Sequence, residues 1–209
     1  MISLKNITHI ENDDKIFHNF SLHISHPLVF IECKHHAKKE LFLDLILGKK
    51  KPTEGTIQSN NTSILYDHYK SLLAYRKHLA VFSEERVSLL SNLNAYENII
   101  IFGEYFYKAR QNNVYAEAMN YVRKCKVENL LTKLPYEMSH DEQCLVYFIM
   151  MLMKHPKVFI IDFEFSKLHL STNIITGIIT EKETQRCSFI IFGNSELRKE
   201  FHTKEEYSF

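Results

Sequence analysis

The stretch LVFIECKHHAKKELFLDLILG, residues 28 to 48, gathers thiol, imidazole, ammonium and carboxylate groups into one short turn: Cys33, His35, His36, Lys38, Lys39 and Glu40. A short apolar strand that turns directly into a helix is a place where phosphate can be held, because the helix N-terminus and a nearby lysine both favour an anion. A phosphate nest, however, needs amides turned inward by residues of unusual φ, with no side chains in the ligand's way. This turn contains no glycine. Cys33, His35 and His36, with His23 and His26 near them in sequence, fit no standard zinc spacing in a chain of 12 histidines. His140, Asp141 and Glu142 form a second polar cluster. At the start of a helix such acidic residues favour the N-terminal dipole without any acid–base role.

The elements that must position these groups follow from periodicity. Ile2, Leu4 and Ile7 alternate loosely with polar residues, and KIFHNFSLHI after them reads as the paired strand. LVFIE is a continuous apolar run suited to a buried strand, and from Lys38 the apolar residues Leu41, Phe42, Leu45 and Ile46 adopt helical spacing. Gly48 ends that helix, and Gly55 within PTEGTIQ is free to take a positive φ into the next strand. From about Leu93 to Val146 the pattern is mostly helical and rich in Tyr and Phe. KVFIID and CSFIIFGN are further buried strands, and CLVYFIMMLM is a core helix whose methionines fill gaps. Continuously apolar strands separated by helices imply a mainly parallel sheet covered on both faces.

Composition excludes several classes. With 26 Lys and Arg against 25 Asp and Glu, the net charge of +1 offers no general attraction to nucleic acid or an anionic bilayer. The four cysteines form no C-x-x-C pair and suit reduced thiols. MISLKNITHIENDD lacks the order of a signal peptide, and the longest apolar run is about half a membrane span. These features set the expectation of a cytoplasmic chain.

Cys33 to Phe42, LILG at 45–48, PTEGTI at 52–57, AVFSEE at 80–85, LNAYENI at 93–99, Met138 to Glu142 and HPKVFIIDFEFS at 155–166 succeed one another in fixed order. In order and spacing, over essentially the whole chain, they resemble the nucleotide-binding subunit of an ABC transporter. The resemblance implies an α/β, P-loop NTPase-like fold: a RecA-like core sheet, an N-terminal antiparallel β part and an inserted helical subdomain. It implies one domain over 1–209, with 1–88 and 150–209 as core lobe and 89–149 as helical subdomain.

The resemblance also assigns roles, and the departures fall on them. Cys33 to Phe42 occupy the ten places of G-x-x-G-x-G-K-S/T-T-L, with Lys38, Lys39, Glu40 and Leu41 as nucleotide-binding positions. All three glycines are replaced, and a non-glycine residue at a left-handed position costs about 1 to 2 kcal/mol. Lys39 stands between two readings, a phosphate ligand or one of several surface lysines. Glu40 replaces the Mg²⁺-ligating hydroxyl; it would repel phosphate, but is itself a hard ligand. Asp162 matches the acidic metal-site residue. Phe163 stands where the family has its water-polarising glutamate, which leaves Glu164 and Glu84 as candidate catalytic carboxylates. Glu84 or Glu85 aligns with the Q-loop glutamine, Asn194 with the switch histidine, and Glu11 with the adenine-stacking aromatic. Of the signature L-S-G-G-Q only Ser139 persists.

The resemblance therefore implies an ATP-binding-type subunit, peripheral on the inner face of the membrane, of an exporter whose substrates are small peptides. ATP and Mg²⁺ are its family cofactors, and the motifs that would use them are degraded. Its implied partners are a separate permease and a second nucleotide-binding subunit, and it has no nucleic-acid partner. A slow MgATPase with a rebuilt loop, or a regulatory or immunity protein on this fold, remain as alternatives.

Overall fold

The computed structural model describes residues 2–11, 14–24, 27–33, 35–59, 62–107, 114–163, 169–181, 187–193 and 205–208. The chain forms two compact units, Met1–Leu79 with Ser188–Phe209, and Ala80–Cys187.

In the first unit, β1 (Ile2–Glu11) pairs antiparallel with β2 (Asp14–Ile24) and with β4 (Glu54–Ser59), which pairs in turn with the short β5 (Thr62–Ser63). The loose alternation of β1 and β2 has a physical cause. Asn6 and Asn19 take φ of 52° and 49°, and around them the pairing slips. Each slip moves the next side chain to the opposite face. Burial therefore runs Ile2, Leu4, Ile7 in β1 and Phe17, Leu22, Ile24 in β2. Hydroxyls replace the lost ladder partners: the Asn6 amide donates to Ser21 Oγ at 2.9 Å and the Asn19 amide to Thr8 Oγ1 at 3.2 Å.

The parallel strands of this unit are β3 (Leu28–Glu32), flanked by β8 (Ser188–Phe192) and β9 (Glu205–Ser208). α1 (His36–Ile46) buries Leu41, Phe42, Leu43, Leu45 and Ile46. The Phe42 ring lies 5.6 Å from Phe192 of β8 and 6.4 Å from Phe20 of β2. Gly48 closes the helix at φ 65°. The exposed carbonyls at its end are taken by α2 (Tyr69–Arg76): Tyr75 donates to Ile46 O at 2.6 Å, and Arg76 donates to Leu47 O at 2.9 Å and Gly48 O at 2.7 Å. Gly55 has φ 90°, and a Cβ there would lie under 3.0 Å from the carbonyl oxygens of Lys5 and Asn6. Only glycine fits at that point of β4.

In the second unit β6 (Leu79–Ser83), which begins at the boundary, lies beside β7 (Val158–Asp162). The helices are α3 (Ala95–Tyr107), α4 (Val114–Cys125), α5 (His140–Met153) and α6 (His169–Thr180). α5 is the apolar run expected to be a core helix, with Met150, Met151 and Met153 buried. Its Phe148 stacks on Phe159 of β7 at 5.5 Å and meets Phe82 of β6 edge-on, also at 5.5 Å.

Among the described residues, two helix starts carry reciprocal caps. Before α3, the Asn94 side chain accepts from the Glu97 amide and Glu97 Oε2 accepts from the Asn94 amide, each at 2.8 Å. Before α5, Ser139 Oγ accepts from the Glu142 amide at 3.3 Å and Glu142 Oε2 accepts from the Ser139 amide at 2.7 Å. Next to the first cap, the fully buried Asn98 accepts from the Leu90 amide and donates to the carbonyls of Leu90, Leu93 and Asn94. One side chain thereby fixes the approach to α3.

Asn98→Ala would strand these backbone groups, so a loss of about 3 kcal/mol in urea unfolding is expected. Ser139→Ala should cost about 1 kcal/mol. The Glu142 carboxylate is held below its ordinary value, first by the Ser139 amide and also by Lys133. Its contribution is therefore present at neutral pH, and the stability gap between the native chain and Glu142→Ala should narrow only as pH falls below 4.5.

Candidate functional site

The described residues of the turn between β3 and α1 do not bend as a phosphate nest does. Among its described residues Cys33, His35, His36 and Lys38, none has a positive φ. His35 is extended, at φ −118° and ψ 112°, and α1 begins at the next residue. The chain avoids the expected left-handed strain by starting its helix early. The Lys39 amide already donates to His35 O at 3.1 Å as part of the helical ladder. The Cys33 thiol donates to His35 O at 3.3 Å, which engages that thiol with the backbone.

Lys39 is 0% exposed and is among the largest fully buried side chains. It is therefore no surface lysine, and its ammonium does not open to solvent. Lys38 and Glu40 are half-buried on the same first turn, and Leu41 is buried in the core. Glu11, at the place of the adenine-stacking aromatic, is instead paired with Lys50 Nζ at 2.8 Å, which lowers its carboxyl from the ordinary value.

The other assigned residues lie in the second unit. Asp162 ends β7 and is buried, as is Phe163 after it. Glu164 and Asn194 lie outside the described residues. Ser139, the surviving signature residue, is the N-cap of α5, a sufficient structural reason for a serine there. Glu84 and Glu85 sit in the single 3₁₀ turn Glu84–Arg86 that comes after β6.

Glu84 has company that its sequence position did not reveal. Its Oε1 is 3.3 Å from His140 Nε2, and its Oε2 is buried with no hydrogen-bond partner among the described residues. The same His140 nitrogen is 3.7 Å from Cys144 Sγ. A cysteine, a histidine and a glutamate in line suggest nucleophilic catalysis, but a triad needs the two ring nitrogens to face the two partners separately. Burial, reinforced by Glu84 and Asp141, also pushes the Cys144 thiol up to about 12, so it stays protonated and unreactive. His140 and Cys144 are four residues apart on one helix, a spacing readable from sequence. Glu84 arrives through the fold.

Residues 39–164 match the family model of the ABC transporter. A Mycoplasma genitalium protein that carries the name ABC transporter ATP-binding protein MG467 is 26% identical over 87% of this chain and 60% of its own length. Its Mycoplasma pneumoniae homologue is also 26% identical, over 74% of this chain and 46% of its own. The chain thus spans about half the length of these curated relatives. Among solved structures, cbiO1 from Clostridium perfringens, part of the ABC transporter complex cbiONQ, superposes with a TM-score of 0.77 at 19% identity, covering 92% of this chain and 77% of that one. The dimeric bacterial ABC transporter cassette MJ0796 gives 0.76 at 18%, covering 96% and 91%. The mixed α/β architecture is that of the ABC cassette, and the chain belongs to the ABC transporter family.

Proposed function

We propose that this chain is a catalytically degenerate ATP-binding-type subunit of an ABC exporter, seated on a separate permease. It acts there as a scaffold or as the silent partner of an intact ATPase subunit. The observation that carries this reading is the complete burial of Lys39, the one residue of the phosphate-loop pattern that the sequence keeps at its functional place. Two further features support it. The amide of Lys39 is committed to the α1 ladder. Phe163 at the base position cannot accept a proton, and losing a general base costs about 10² to 10⁴ in rate. In this reading the residues present do not fit MgATP, and no hydrolytic step runs through them.

The partner surface is proposed on α3 and α4, where Ile101, Tyr105 and Tyr115 are exposed. Aromatic side chains of this kind make effective contacts with a protein partner. Among the described residues no helix is long and apolar enough to cross a membrane, and in this reading the permease supplies the transmembrane path.

Calorimetry of the purified chain with MgATP, run beside an intact ABC ATPase, should show no binding heat, and Lys39→Ala should behave the same. Binding by the native chain that disappears in Lys39→Ala would overturn the proposal and move the rebuilt-loop MgATPase into its place. Copurification from native membranes should bring down a permease or a second ATPase subunit.

A further inference from the structure

α2 has no buried residue, yet its two sides differ. Ser71, Leu72, Tyr75 and Arg76 are half-buried, while Tyr69, Lys70, Leu73 and Ala74, with Lys77 at the C-cap, are exposed. Helical spacing puts each set on its own face. The inner face accounts for the fold. Leu72 covers Gly48, where a Cβ would come within 2.6 Å of its methyl, and Tyr75 and Arg76 donate to the carbonyls that end α1. Among the described residues, no hydrogen bond or ion pair uses the side chains of the outer face. Tyr69 is 73% exposed and Leu73 40%, and Leu65, in the turn before the helix, is 56% exposed. We propose that this outer face rests on an anionic lipid surface, with Leu65, Tyr69 and Leu73 entering the headgroup layer and Lys70 and Lys77 meeting lipid phosphates.

The residue types favour lipid over protein. Lysine is depleted in protein interfaces, whereas beside apolar residues it suits a membrane surface, where its stem lies along the acyl boundary and its ammonium reaches the phosphates. Arg76, the residue of α2 best suited to a protein contact, is committed to backbone carbonyls. The face is also small. Three apolar side chains supply well under the roughly 800 Å² that each partner of a stable protein contact buries. Two copies meeting symmetrically through α2 would set Lys70 and Lys77 against the same lysines of the other copy. The charge that opposes lipid is Asp67, and Lys51 Nζ offsets it from 3.2 Å. Because the whole chain carries only +1, the attraction is local to this face. Each lysine near an anionic leaflet is worth about fivefold in binding, so α2 acts as a weak anchor that adds to any protein contact. The inference depends neither on nucleotide binding nor on a permease.

Sedimentation of the purified full chain with lipid vesicles tests this. Phosphatidylcholine vesicles containing about one third phosphatidylglycerol should carry the chain down, phosphatidylcholine alone should not, and raised salt should weaken the binding. Lys70→Gln combined with Lys77→Gln should lower binding to the anionic vesicles about 25-fold, about fivefold for each charge. Tyr69→Ser combined with Leu73→Ser should abolish it. Lys5→Gln combined with Lys15→Gln removes the same charge from exposed positions of β1 and β2 and should leave binding unchanged. An unchanged urea midpoint verifies the fold of each variant, since all these side chains are exposed. Equal binding by the native chain and the α2 variants would overturn the proposal, as would an equal loss in the Lys5 and Lys15 pair. A chain that ignores anionic vesicles altogether would overturn it too, and would leave an acidic protein segment as the occupant of this face.

Discussion

The first unit is organised around the placement of one ring. Phe42 is fully buried and reaches Phe20 of the antiparallel sheet on one side and Phe192 of the parallel strands on the other. Interiors are close-packed, so a ring wedged between two sheets fixes the height and rotation of the helix that carries it. Every residue of the first turn of α1 inherits its direction from that wedge. Lys39 precedes Phe42 by three positions, which puts the two on neighbouring parts of one helix face. The burial of the lysine is thus tied to the packing that holds the helix.

The residues that maintain the family pattern share a different physical logic from those that break it. Gly55 is retained because two carbonyl oxygens of β1 leave no room for a Cβ. Asn94, Glu97 and Asn98, within LNAYENI, are consumed in capping α3 and tying down the loop before it. Ser139 and Glu142 do the same for α5. Each of these side chains satisfies backbone groups that burial or a helix end would otherwise leave unmade. The glycines of the phosphate turn satisfy no such need, and their replacements sit in ordinary backbone conformations.

This division explains what could be read from sequence. Helices and strands with strong periodicity were legible: β3, α1, α5 and β7 lie where Leu28–Glu32, Leu41–Ile46, the methionine-rich run and VFIID placed them. The slips at Asn6 and Asn19 left a trace in the irregular alternation, but only backbone geometry identifies them as bulges. At the site, spacing located Lys39 and Ser139 without telling what either does. A lysine after a strand is equally consistent with a ligand, a surface charge or a buried ammonium, since the decision rests on helix rotation rather than residue type. Glu84 and His140 are distant in sequence and meet only because β6 and α5 pack together through Phe82 and Phe148.

The irregularity of β2 bears on solubility during folding. β2 is the outer strand of its sheet, and an outer strand offers unpaired backbone groups to any other chain. A slip at Asn19 twists that edge out of register with a flat neighbour, and Lys15, His18 and His23 project from it as exposed polar groups. A second molecule attempting to extend the sheet would meet a bent ladder and a row of hydrated side chains. The same bulge that reverses the inward-facing residues of β2 thereby guards this edge against strand-to-strand aggregation.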